Sequence, residues 1–360
     1  MTKTLFDPVQ LGDLSLSNRI IMAPLTRGRA GESRIPNDLM ATYYSQRAEA
    51  GLIVTEATAV SPQGYGWSGA PGMYTDEMEA GWKKVVEAVH KQGGKIVLQL
   101  WHMGRMANPR LTPDLVAPSA VAAKGHLRDT PDKLEYATPR ALDVSELPGI
   151  IDTYVQGTER ALRAGFDGVE LHGANTYLLD EFIRDGANKR SDEYGGSIEN
   201  RLRFPLDVLR AVVDTAGSGK VGMRISPTNP NGGLTDSDPV KTFTAAANAI
   251  SGFNLAYLHI MEPFPESGSA FPGTPYVTPH IRNAYQGNLI VNGGYTLETG
   301  NKAVNEGLAQ GVAFGVPFLA NPDLVRRLKL GAPLNKPDPS TFYTGGAQGY
   351  TDYPVMEQAA

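Results

Sequence analysis

Short runs of apolar, largely β-branched residues recur along the chain at 19–23, 51–58, 95–100, 166–172, 221–226, 255–260, 289–292 and 311–314. Each is of strand length and apolar at consecutive positions, the pattern of parallel strands buried on both faces. Between them lie longer stretches with apolar residues at helical spacing: 37–50, 75–92, 145–164, 197–216, 237–251, 278–285, 296–306 and 321–330. The second of these opens at Thr75, three residues before Met78, and stops at Gly93-Gly94; Ser145 is the N-cap candidate of the third.

Eight strand-then-helix units in succession predict an α/β protein of the (β/α)8 TIM-barrel class. A doubly wound sheet would carry a Gly-rich fingerprint after its first strand, but the chain there reads Ala23-Pro24-Leu25-Thr26. A Walker-like Ser218-Gly219-Lys220 is followed by Val221 and has Asp214 in the first glycine's place, so it is no phosphate loop. The 360 residues are read as one domain with three additions to the repeat. Residues 1–18 predict a hairpin around Gly12-Asp13 that plugs one end of the barrel. Residues 101–144, with Pro109, Pro113, Pro118, Pro131 and Pro139, form a long insertion expected to cap the other end. Residues 331–360, rich in Gly, Pro and Tyr, are expected to wrap the surface.

Composition narrows the chemistry. Cysteine is absent, which removes disulfides, thiolate nucleophiles, Cys-ligated zinc and iron–sulfur clusters. A net charge of −5 with no basic stripe argues against nucleic acid and anionic membrane as partners. The first twenty residues lack the apolar core of a signal peptide, and no apolar run approaches membrane-spanning length. A soluble, cytoplasmic protein is expected, either a monomer or a weak homodimer.

In a TIM barrel the site lies at the C-terminal ends of the strands. Those positions carry Pro24, Leu25 and Thr26; Ala57 and Thr58; Gln99, Trp101 and His102; His172 through Tyr177; Arg224; Asn292-Gly293-Gly294; and Phe314-Gly315-Val316. They hold no His/carboxylate cluster for a metal, no pair of carboxylates for glycoside hydrolysis, and no lysine for a Schiff base. Amide, hydroxyl, guanidinium and backbone N–H groups remain, a set suited to a polar, planar cofactor. The glycines after the seventh and eighth strands stand where barrels often hold a phosphate.

At these residues the chain resembles the Old Yellow Enzyme family of FMN-dependent ene-reductases. The resemblance runs from Leu5-Phe6-Asp7-Pro8 to Gly349-Tyr350-Thr351-Asp352-Tyr353-Pro354. It is carried most specifically by Asn18-Arg19-Ile20, Met22 to Arg27, Gln99-Leu100-Trp101-His102-Met103-Gly104-Arg105, Asp180-Glu181-Phe182, Asp192 to Arg201, and Asn321-Pro322-Asp323-Leu324.

The resemblance implies that Ala23, Pro24, Leu25, Thr26 and Ala57 line the flavin ring, with Gln99 and Arg224 on its pyrimidine edge. Asn292, Gly293, Gly294, Phe314, Gly315 and Val316 would lie along the ribityl phosphate. An ion pair between Arg224 and Glu170 inside the barrel is the competing account of that arginine. His172 and Asn175 would grip the substrate oxygen, and Tyr177 would give a proton to Cα. Trp67, Trp101, Phe271 and Tyr350 would shape the substrate pocket.

The implied reaction takes hydride from NADPH or NADH to flavin N5, then to the Cβ of an activated alkene such as an enone, enal or nitroalkene. The alternatives are a flavin- or phenol-binding protein with little turnover and another FMN-dependent barrel dehydrogenase. One departure stands out: the family's arginine on the phosphate is replaced by Val316. Arg326, Arg327 and the start of the last helix near Asn321 are candidates to offset its loss.

Overall fold

In the computed structural model, which describes residues 2–112, 114–127 and 132–356, eight parallel strands close into a barrel. They are β1 (Ile20–Met22), β2 (Leu52–Val54), β3 (Ile96–Trp101), β4 (Gly168–Gly173), β5 (Val221–Ile225), β6 (Tyr257–Met261), β7 (Leu289–Asn292) and β8 (Gly311–Phe314). Closure runs through β8 to β1, with Ala313 beside Ile21, and through β2 to β3, with Ile53 beside Ile96. Pro113, residues 128–131 (Pro131 among them) and residues 357–360 lie outside the described residues. No helix among the described residues is long and apolar enough to cross a membrane.

The period-two geometry of the strands sorts the barrel interior into layers. At the bottom, Val97, Tyr257 and Ile290 pack with Ile21, Leu52 and Ala313. Gly222 leaves room for the Tyr257 ring, which a Cβ would meet at 2.3 Å. Two residues further along the same strands stand Gln99, Glu170, Arg224, His259 and Asn292. Alternation therefore turns an apolar floor into a polar layer facing the mouth.

The N-terminal hairpin forms as expected, Val9–Leu11 pairing antiparallel with Leu14–Leu16. Leu11, Leu14 and Leu16 join the bottom layer. Gly12 turns at φ +56°, and any Cβ there would strike the Gly219 carbonyl at 2.5 Å. The Ser218-Gly219-Lys220 segment thus receives the plug, its Gly219 carbonyl accepting the Asp13 N–H at 2.8 Å.

Helix ends follow their caps. Helix Asp76–Lys91 has Thr75 accepting from the Met78 N–H, acids in its first turn, and His90 and Lys91 in its last. The third helix departs from expectation: Leu147–Arg163 is preceded by a 3-10 turn in which Asp143 and Glu146 form the capping box, so Ser145 is not its cap. The last stretch divides into Val316–Ala320 and Leu324–Leu330, separated at Asn321-Pro322-Asp323. A further short helix, Leu178–Ile183, follows β4.

The insertion after β3 carries a 3-10 turn, Gly104–Met106, and a parallel pairing of Val116–Ala117 with Arg140–Ala141.

Candidate active site

A cavity of about 240 Å³ opens at the C-terminal ends of the strands. Pro24, Leu25, Thr26, Ala57, Gln99, His172, Asn175, Tyr177, Arg224, Val316 and Trp67 all line it, although they come from distant parts of the chain. Beside it lies a second cavity of about 430 Å³, lined by Asn292, Gly294, Phe314 and Gly315 and sharing Leu25 and Val316 with the first. Ser269 and Tyr295 also line that second space.

The turn after β4 builds the donor set. Asn175 and Thr176 have φ of +57° and +72°, consecutive left-handed conformations that a β-branched residue rarely adopts. Such strain costs on the order of 1–3 kcal/mol per residue and persists where the surroundings over-determine it. Here the Asn175 N–H donates to Ser226 Oγ at 2.7 Å and the Thr176 N–H to Asp180 Oδ2 at 2.9 Å. The turn brings Asn175 and Tyr177 to the cavity beside His172. The Tyr177 ring meets the rings of His172 and Trp101 edge-on, at 4.9 and 5.1 Å between centroids.

His172 is buried, and its Nδ1 has no hydrogen-bond partner among the described residues. Burial first, then Arg224 and His259, hold its pKa well below the usual histidine value. The imidazole is neutral at physiological pH, with one N–H to donate and one lone pair to accept.

In the polar layer, Gln99 Nε2 donates to Glu170 Oε1 at 2.7 Å, and His259 Nδ1 meets Glu170 Oε2 at 3.0 Å. Burial pushes the Glu170 carboxyl up, but His259, Arg224 and the Gln99 amide outweigh it and hold it below the usual range. Burial likewise lowers the His259 pKa, against the upward pull of Glu170. His259 is therefore in contact with Glu170, and Arg224 acts on that carboxylate through its charge alone. Arg224 Nη2 donates instead to Asn292 Oδ1 at 2.9 Å, and its Nε is buried without a partner among the described residues.

Seven expected residues stand elsewhere. Tyr350 is fully buried, stacked on Tyr43 at 4.0 Å with the guanidinium carbons of Arg27 and Arg29 at 5.0 and 4.8 Å from its ring. It does not line the cavity; Phe342 and Tyr343 of the same terminal segment do. Trp101 is buried behind Tyr177 rather than lining the space, and Ala23 packs into the barrel interior. Phe271 sits half-buried in the loop after β6, the loop that sends Ser269 to the second cavity. Gly293 faces the β6 end, where a Cβ would meet Pro263 N at 2.6 Å. Arg326 and Arg327 are spent on Asp323 and on the carbonyls of Pro333, Pro354 and Met356, and neither lines the second cavity.

Sequence reasoning missed Met103, Met106, Tyr136, Asn231, Leu319, Phe342 and Tyr343 in the lining. The methionines and Tyr136 come from the capping insertion, where only its length and prolines marked a role.

Two adjoining cavities, with unpartnered buried nitrogens of His172 and Arg224 in the lining of the first and glycine turns along the second, fit a polar planar ring with a polar tail. The fold and site together are those of a flavin-dependent barrel oxidoreductase. Residues 4–335 match the NADH:flavin oxidoreductase / NADH oxidase family, and the chain belongs to it, as an FMN oxidoreductase of the Old Yellow Enzyme group. It is 44% identical to 12-oxophytodienoate reductase 1 of Oryza sativa subsp. japonica, over 98% of this chain and 93% of that protein. It is 42% identical to a probable flavin mononucleotide-dependent alkene reductase of Leishmania infantum, over 97% of this chain and 96% of the relative. The solved structure of the old yellow enzyme homologue from Zymomonas mobilis aligns with a TM-score of 0.96 at 44% identity, covering 98% of this chain and all of that one.

Proposed function

We propose that the protein is an NAD(P)H-dependent ene-reductase acting on small activated alkenes. The observation that carries this reading is the convergence of His172, Asn175 and Tyr177 on one cavity, with Thr26, Gln99 and Arg224 in the same lining. When bound, FMN supplies the hydride chemistry, from reduced nicotinamide to the β-carbon of the alkene.

Thr26, Gln99 and Arg224 would hold the ring of the cofactor. With Nε2 committed to Glu170, Gln99 turns its carbonyl oxygen outward as an acceptor for an imide N–H. The Arg224 guanidinium would serve as a fixed partner for the negative charge that reduction adds to the ring, one that needs no reorganisation. Asn292, Gly294, Phe314, Gly315 and Val316 would flank the ribityl phosphate, and the Gly293 turn would set the loop that carries Gly294.

His172 and Asn175 would donate to the carbonyl or nitro oxygen of the substrate, stabilising the charge that hydride arrival at Cβ places there. Tyr177 would then give its phenolic proton to Cα, completing the reduction of the double bond. Met103, Met106 and Tyr136 would exclude water from above.

Two measurements test this. Titration with p-hydroxybenzaldehyde should produce a long-wavelength charge-transfer band that disappears in the His172→Ala, Asn175→Ala double variant. Anaerobic NADPH or NADH should bleach the flavin, and cyclohexenone should restore it. A band with no turnover would leave a phenol-binding flavoprotein and overturn the reductase reading.

A further inference from the structure

The loop after β1 does two things at once. Pro24, Leu25 and Thr26 line the cavity, and the next residues send two buried arginines to the far end of the chain. Arg27 Nε donates to the Phe342 carbonyl at 2.9 Å, and its Nη2 to the carbonyls of Gly349 at 2.7 Å and Thr341 at 3.4 Å. Arg29 donates to the same Phe342 and Thr341 carbonyls, at 3.0 and 2.8 Å, and to the Arg27 carbonyl at 2.6 Å.

Neither guanidinium has a carboxylate partner among the described residues; each is spent on backbone oxygens. The Tyr43–Tyr350 stack flanks Arg27, with its guanidinium carbon 5.2 and 5.0 Å from the two ring centres. Gly28 allows the closest approach, since a Cβ there would lie 3.0 Å from the Tyr343 carbonyl.

The gripped segment carries Phe342 and Tyr343 into the cavity, and Tyr343 meets Trp67 at 5.2 Å between ring centroids. Beyond them come Gly345, Gly346 and Gly349, which offer no side chain to hold the segment down. Burying two cations is costly, and simple anchoring of a chain end could be met by apolar packing. What a planar guanidinium adds is direction: its fork fixes several carbonyls at once, which a lysine cannot do.

We infer that Arg27, supported by Arg29, is a positioning residue that sets the width of the substrate cleft between the Trp67–Tyr343 wall and the His172/Asn175/Tyr177 donors. The inference rests on the cavity being the substrate site proposed above. Substrates of the size of a monocyclic enone are the class whose fit depends on this wall.

The test is a double-mutant cycle with Arg27→Lys, Tyr343→Ala and their combination, read by p-hydroxybenzaldehyde affinity and by KM and kcat for cyclohexenone. Each single change should weaken phenol binding and raise KM by about tenfold, the worth of one charge-assisted hydrogen bond, with kcat much less affected. The double variant should be no worse than either single one, because both changes remove the same wall. Losses that multiply, or a lowered melting temperature with unchanged affinity, would overturn the inference.

Should Arg27→Lys fail to fold, Arg29→Lys enters the same cycle, with a smaller loss and the same non-additivity. Hydrogen exchange at residues 341–349, which needs no substrate, should rise in either arginine variant. Unchanged exchange beside a normal wild-type phenol band overturns the clamp alone. Absence of the band in wild type overturns the reading of the cavity and the clamp's action on substrate with it.

Discussion

Asn229 Nδ2 donates to Asn175 Oδ1 over 2.8 Å, which fixes the orientation of an amide that neither its strand nor its turn determines. With that oxygen turned to Asn229, Asn175 has its own N–H groups to offer to a ligand. Asn229 is itself nearly buried, so the bond is shielded from competing water.

Asn229→Ala should therefore weaken phenol binding by roughly tenfold, about one hydrogen bond to a charged ligand. Asn229→Asp should be worse, because a carboxylate would draw the Asn175 N–H groups away from the ligand. Charge-transfer titrations measure both. Unchanged affinity in the alanine variant would show that Asn175 orients by itself.

His102 gives a test in acid. Burial lowers its pKa from 6.5 to about 4, against a smaller upward pull from Asp114. Its Nδ1 accepts the Gly104 N–H at 3.2 Å, a bond that protonation would break. The unfolded chain takes up this proton below pH 6.5, and the native protein only near 4. Between those values stability should fall as pH falls, by about 1.4 kcal/mol per pH unit for one such group; above 6.5 the group contributes no slope. Urea unfolding at several pH values, wild type against His102→Gln, isolates it. Buried carboxyls such as Glu181, which burial holds well above the usual range, titrate in both proteins. Equal slopes in the two proteins would show that His102 is solvated or already charged.

Much of the barrel was legible because its strands obey one period. Val97 and Gln99, or Tyr257 and His259, show how a two-residue step passes from floor to polar layer. The His172/Asn175/Tyr177 set was legible as a local spacing on one turn. Features that depend on distant partners were not. The stretch 51–58 reads as one strand but divides into Leu52–Val54 and Thr58–Ala59. Between them the Glu56 carboxylate accepts the N–H groups of Arg27 and Gly28 at 3.1 and 3.2 Å. Tyr350 was expected in the pocket and Tyr343 overlooked for the same kind of reason. Nothing in a Gly- and Tyr-rich tail shows which ring Arg27, Arg29 and Tyr43 will enclose.

Tyr177 should matter to one half of the cycle only. Its ring is held edge-on by His172 and Trp101, so Tyr177→Phe keeps the packing and removes the hydroxyl. Proton delivery to Cα is not needed when nicotinamide reduces the flavin. Enone reduction should slow by about 100-fold or more, the usual worth of a positioned acid, while flavin reduction is nearly unchanged. Stopped-flow measurement separates the two. Equal slowing of both would make Tyr177 a packing residue, and near-normal turnover would make water the proton source.

Val316 bears on how tightly the cofactor is held. It is 47% exposed and stands where the two cavities meet. The described residues lining the second cavity include Ser269, Tyr295, Gly294 and Gly315, but no cationic side chain. The nearest candidates in sequence are committed elsewhere: Arg327 Nε donates to Asp323 at 2.7 Å, and Arg326 Nη2 to the Met356 carbonyl at 3.1 Å. A charge-assisted hydrogen bond is worth roughly 1.5–3 kcal/mol, or about 10- to 150-fold in affinity. Val316→Arg should therefore bind FMN more tightly by a factor in that range, and most of the gain should disappear at high salt. Recovery of flavin fluorescence on dilution gives both dissociation constants. Riboflavin, which lacks the phosphate, should bind wild type and variant alike. A gain for riboflavin as large as that for FMN would show that the new side chain packs on the ring system and that this loop does not hold the phosphate.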